Sequence, residues 1–239
     1  MEAGANGSGR IGSELDRIEA AIGSGERDLK ALGFWRVVAA VKRDRALVIA
    51  HADRIGRIDG AAFRAGVRLR VPVWLGNALL AGAGLAGLAA MIVASRLEGP
   101  TIVGILVVGT AVVWMVSFHC PAHWVVGWLA GIRFTDYFLG AKLPPSPGLK
   151  IDYATYLRAE PTMRAWMHAS GAIGTKLAPF LALAFSPWEV IPTWAVVALL
   201  VVGFGQIGTD LVFSVKRSDW KRFLRERRIA RSGLSRARR

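Results

Sequence analysis

Residues 101–132 hold an apolar run too long for a helix of a water-soluble domain, and this run limits the chain more than any other feature. As one straight helix it would reach about 48 Å, well beyond a hydrocarbon core of about 30 Å. Further blocks at 71–95, 162–186 and 190–215 are nearly free of charge except for isolated polar residues. Overall 53% of the 239 residues are hydrophobic and mean hydropathy is +0.38, yet the apolar residues come in blocks instead of spreading with helical period. The pattern predicts an all-α integral membrane protein with about four transmembrane helices at those positions. Pro121 lies inside the longest run, lacks an amide proton and is expected to break the helix there.

The formal net charge of +14 invites a nucleic-acid interface, but its distribution argues for membrane topology. Lys and Arg crowd the first 70 residues, the loop near 133–164 and the tail after Val215, and leave the alternate loops nearly bare. That asymmetry places both termini in the cytosol of a cell-membrane protein, with no specific nucleic acid as partner. The tail (Lys216, Arg217, Lys221, Arg222, Arg225, Arg227, Arg228) is expected to meet anionic lipid headgroups. One cysteine excludes an internal disulfide. The first 30 residues are polar and show no signal-peptide core. Three regions follow: 1–70, a Gly/Ser-rich disordered start followed by amphipathic cytosolic helices; 71–215, the transmembrane domain; and 216–239, a basic cytosolic tail. Residues 142–148 (KLPPSPG) are expected to lack regular structure.

Within the longest run, His119-Cys120-Pro121-Ala122-His123 sets two imidazoles four residues apart. At about 100° per residue they lie about 40° apart on one helical face, which is half of a zinc site. With the proposed topology His119 and His123 fall in the cytosolic third of their span. Asp210, His168 and Lys176 come to a similar depth from the other spans. Ionisable groups inside a bilayer are costly and face a bundle interior, so such convergence marks a functional site. Taken alone, the histidines could equally line a cavity and bond to neighbouring carbonyls. That alternative is a non-enzymatic, transporter-like or structural membrane protein.

The run HCPAHWVVGWLAGIRFTDYFLG resembles the site-2 protease family of intramembrane zinc metalloproteases. There H-E-x-x-H is followed by the rest of the helix, a glycine, and a short strand-like piece ending near Leu-Gly. Gly131-Ile132-Arg133-Phe134 and Leu139-Gly140 fill those places, and Met163 to Ala172 is similar to the start of the family's middle core span. The resemblance implies a three-helix core, a β-like segment after the histidines, and zinc on His119, His123 and Asp210. Gln206 stands where the family has Asn before its aspartate, and no Gly follows Asp210. Cys120 occupies the position of the catalytic glutamate. A thiol is too short to serve as that general base, and a thiolate beside zinc would more readily ligate it and close the site. The resemblance therefore implies a pseudoprotease that binds transmembrane segments of other proteins, or a divergent intramembrane enzyme with His168 as the remaining candidate catalytic group.

Overall fold

The computed structural model describes residues 2–139, 147–212 and 218–237. In chain order the elements are α1 (Glu2–Gly23), α2 (Phe34–Val41), α3 (Arg45–Gly66), β1 (Arg70–Pro72), α4 (Val73–Ala94), α5 (Pro100–Leu129), β2 (Phe134–Leu139), β3 (Pro147–Ile151), α6 (Tyr153–Arg158), α7 (Pro161–Ala184), α8 (Thr193–Val212) and α9 (Asp219–Ala237). They form two compact units. The first comprises residues 1–73, 128–164 and 227–239; the second comprises 74–127 and 165–226.

The first unit has the core of a protein in water. Leu15 and Ile18 of α1, Phe34 and Val41 of α2, and Ile55 and Ile58 of α3 are buried together with Leu157 of α6. Asp44 caps α3 by accepting from the Ala46 and Leu47 amides, leaving fewer unpaired N–H groups at that end. Arg54 on α3 holds α1 by pairing with Asp16 at 2.5 Å and Glu19 at 2.6 Å. Helix α1 starts at Glu2, so the expected disordered Gly/Ser-rich start is helical from its second residue. Its packing against α3 supplies what composition alone does not.

Strands β1, β2 and β3 form an antiparallel sheet in that order, with Val71 opposite Tyr137 and Tyr137 opposite Leu149. The β-like segment expected after the histidines is thus the central strand. Pro147 and Gly148, expected to be irregular, belong to β3, while 140–146 lie outside the described residues. Gly148 is required there because a Cβ would come 2.5 Å from Cζ of Phe138, whose ring covers it. Phe138 in turn meets Phe63 of α3 edge-on at 5.1 Å.

Beneath that ring pair lies a buried ion pair between Lys150 of β3 and Asp59 of α3. The Lys150 ammonium also sits 4.9 Å from the Phe63 ring centre, a cation–π contact. Burial outweighs the adjacent ammonium and pushes the Asp59 carboxyl above its ordinary value.

In the second unit the apolar surface points outward. Helix α4 has mean hydropathy 1.9 with 17% of its apolar window buried, and α5 has 2.3 with 39% buried. Both are long and apolar enough to cross a membrane. Among the described residues α8 carries only a shorter apolar stretch, Thr193–Thr209, and α7 does not reach that mark, so the length and composition expected of four spans are met by two. Helix α5 is continuous through Pro121, contrary to the expected break. Proline costs the helix one amide donor, toward the Ser117 carbonyl, without ending it when flanking turns are held by neighbours. The helix stops instead at Gly131, whose φ of 74° is left-handed and whose amide bonds the Trp128 carbonyl at 2.9 Å.

Replacing Lys150 with Met strands the buried Asp59 carboxylate and should destabilise the protein by about 3–5 kcal/mol, while Lys150→Met with Asp59→Leu should be close to neutral. Chemical denaturation of both variants is the check, and equal losses would show that the pair is not the relevant contact. Asp59 holds its proton more tightly folded than unfolded. Its contribution is therefore fully present below the ordinary carboxylate value of about 3.9 and is lost as pH rises through the raised value. Asp59→Asn should gain thermal stability relative to the parent as pH rises from the ordinary carboxylate value through the raised value of Asp59.

Candidate metal centre

The site is built where α5 crosses α7 on small residues. A Cβ on Gly171 would overlap the His123 ring, and one on Gly174 would come 3.2 Å from the Phe118 carbonyl oxygen. Only glycine lets the α7 backbone lie against the imidazole. His123 is consequently buried, and its Nδ1 is 2.5 Å from the Met167 carbonyl oxygen. A carbonyl can only accept, so Nδ1 carries the proton, and in the neutral ring Nε2 presents a lone pair.

His119 reaches the same state by another route. Its Nδ1 is 2.9 Å from Thr175 Oγ1. That hydroxyl donates its own proton to the Gly171 carbonyl at 3.0 Å, with the Met115 carbonyl at 3.4 Å, so toward His119 it accepts. Both imidazoles are therefore held through Nδ1 and offer Nε2 to one point. Partners of this kind orient metal-binding histidines.

The third group is Asp219, in the first turn of α9. Its Oδ2 lies 3.3 Å from His123 Nε2 and 3.5 Å from His119 Nε2. The three ligand atoms are all within 4.8 Å of one another. Tetrahedral zinc with bonds of about 2.0–2.1 Å has ligand-to-ligand edges of about 3.3–3.4 Å, which the two measured edges approach. Burial pushes the Asp219 carboxyl up, but its contacts with His123 and His119 and the Arg222 charge outweigh that and hold it below the ordinary range. Arg222 approaches the other oxygen, Oδ1, at 3.7 Å. The two Nε2 atoms and the carboxylate thus meet at one point, where a proton held between imidazole and carboxylate, or a metal ion in its place, balances the charge. The group could hold a metal ion.

Helix α9 is seated by Phe223, buried against Ala165 and Ala169 of α7. Trp220 stacks on Phe223 at 5.0 Å and Trp166 meets it at 5.5 Å. This docking brings Asp219 to the histidines, so the first turns of the expected basic tail belong to the second unit.

The other expected site residues fall as follows. Asp210 lies near the end of α8 and its side chain is outside the described residues; the carboxylate found beside the histidines is that of Asp219. Cys120 is half-buried and is not one of the three clustered groups. His168 is buried on α7, with Arg222 and Glu226 of α9 among the charges around it. Lys176 donates to the Ala172 carbonyl at 3.4 Å, and Gln206 Nε2 lies 3.6 Å from the Met115 sulfur. In the sequence Asp219 reads as the opening residue of a basic tail. The only signal for it is an acidic side chain that shares one face of α9 with Phe223 and Glu226, at spacings of four and seven.

Comparison with protein-family models, with curated proteins and with solved structures finds no match to this chain.

Removing the acceptor that holds His119 should weaken metal binding without removing a ligand. If the group holds a metal ion, Thr175→Val should lower its affinity about 10–100-fold, and Thr175→Ser should restore it. Competition against a chromophoric chelator gives the readout, and equal affinities for parent and Thr175→Val would show that the hydroxyl does not orient the ring.

Proposed function

We propose that the chain is an integral membrane zinc protein related to the site-2 proteases, with a metal centre formed by His119, His123 and Asp219 and no general base beside it. Its role in this reading is to bind transmembrane segments rather than cleave them. Helices α4, α5, α7 and α8 would be the four spans, with both termini cytosolic. The outward-facing Leu79, Leu85, Ile92, Ile102, Ile105 and Val116 support a lipid environment, since exposing each of them to water forfeits about 1.5–3 kcal/mol of burial.

One observation carries the metal reading: each Nδ1 has a partner of its own, so the Nε2 atoms of His119 and His123 are both directed at a single carboxylate oxygen. Mixed imidazole and carboxylate ligands favour zinc over the hard cations, which take oxygen. Zinc held by three protein ligands supplies Lewis acidity at a fourth position. His119, with 37% of its side chain exposed, marks the open side of the group. Position 120 follows His119 on α5 and would carry a carboxylate in a protease of this family. A thiol there leaves no group of the right length to move a proton.

Elemental analysis of the detergent-purified protein should find about one zinc per chain. His119→Ala with His123→Ala, and separately Asp219→Ala, should lose it, while Asp210→Ala should keep it. Retention by Asp219→Ala with loss by Asp210→Ala would move the third ligand to α8. Equal zinc in every variant, or none in the parent, favours histidines that merely line a cavity. The parent should not cleave transmembrane peptides. Cys120→Glu should raise cleavage by about 10²–10⁴-fold over that background. Zinc-dependent cleavage by the parent, undiminished in Cys120→Ser, would overturn the missing-base reading.

A further inference from the structure

Helix α9 has two faces with different chemistry. At about 100° per residue, Asp219, Phe223 and Glu226 share one side, and Lys221, Arg225 and Arg228 fall opposite. The first side is turned inward: Phe223 and Glu226 are buried and Asp219 reaches the histidines. The second is exposed at all three positions. One helical turn therefore carries both a metal ligand and the start of a cationic stripe, and neither can move without the other.

From this geometry we infer that anionic phospholipid headgroups bind the outer face of α9 and thereby hold Asp219 in the metal centre, coupling zinc affinity to membrane charge. The inference rests on the metal reading above. Lipid is the occupant that the surroundings fit. Trp220, Phe223 and Trp166 cluster at the root of the helix, and Trp166 and Leu224 are partly exposed beside it, the mix that settles at a membrane interface. In sequence the stripe begins at Lys221, soon after the apolar helix α8 ends at Val212, and a cationic segment close to an apolar helix is the arrangement that an anionic leaflet attracts.

Coupling between two ligands is reciprocal, so lipid that seats α9 must raise zinc affinity and zinc must strengthen lipid binding. The test uses the full chain in nanodiscs of phosphatidylcholine alone or with about a quarter phosphatidylglycerol, with zinc affinity measured by chelator competition. The expected result is about tenfold tighter zinc binding in the anionic bilayer, within the usual 5–150-fold range of such coupling. Raising salt from about 0.1 M to about 1 M, which shortens the screening length from about 10 Å to about 3 Å, should remove the difference. Lys221→Glu with Arg225→Glu and Arg228→Glu should bind zinc as the parent does in neutral lipid but show no gain in anionic lipid. Equal affinity in both bilayers overturns the coupling and leaves the metal centre standing. No zinc binding in either bilayer overturns both. A gain produced in neutral lipid by soluble dextran sulfate would assign the stripe to a soluble polyanion and overturn the lipid occupant.

Discussion

The hydrogen bond from His123 Nδ1 to the Met167 carbonyl determines what the centre of the second unit can do. It gives a ring with two equivalent options a fixed partner at Nδ1, and it does so where α5 and α7 lie in close contact. The bond exists because Gly171 removes the Cβ that would otherwise occupy the ring's place. Ala178 and Ala182 lie farther along α7, and with Met91, Val107 and Trp114 they join the core that holds α7 against α4 and α5. Small residues set the helix approach, the approach fixes the tautomer, and the tautomer sets the chemistry.

The two units use opposite solvation strategies. The first buries Leu15, Phe34 and Ile55 and exposes charge, so ion pairs such as Arg158–Asp53 at 2.5 Å lie in water and contribute little. The deeply placed pair of Asp59 with Lys150 is different. Neither group can shed its partner without leaving a charge among aromatic rings, so the pair fixes which part of β3 lies on α3 more than it adds net stability. Arg164 is handled similarly: it is almost wholly buried and donates to the Leu157 carbonyl at 2.9 Å, where the end of α6 leaves its carbonyls without amide partners. Helices α4 and α5 of the second unit expose many leucines, isoleucines and valines and bury Thr110, Ser117 and His123, an arrangement suited to apolar surroundings.

Helix α9 joins these themes. Its inner face brings a carboxylate to the two imidazoles of α5, a group that could hold a metal ion, and its outer face is cationic. Because Asp219 comes from the first turn of a separate helix, the ligand set depends on that helix being docked, and Phe223 against Ala165 and Ala169 is the contact that docks it.

Local rules sufficed for much of this. The apolar block around 101–132, the pairing of His119 with His123 on one face, the helix end at Gly131 and the strand from Phe134 are all set by period, backbone preference and residue type within a few positions. The early helix α1, the survival of α5 through Pro121 and the entry of Pro147 and Gly148 into a strand were not legible, because each depends on a partner distant in sequence that supplies the missing contact or hydrogen bond. The carboxylate beside the histidines shows this most clearly. Asp219 lies 96 residues beyond His123, and no periodicity spans such a gap. Only the docking of one helix on another brings an acidic residue from a basic segment to within hydrogen-bonding distance of an imidazole, and that docking is decided by packing around Phe223 rather than by any local pattern.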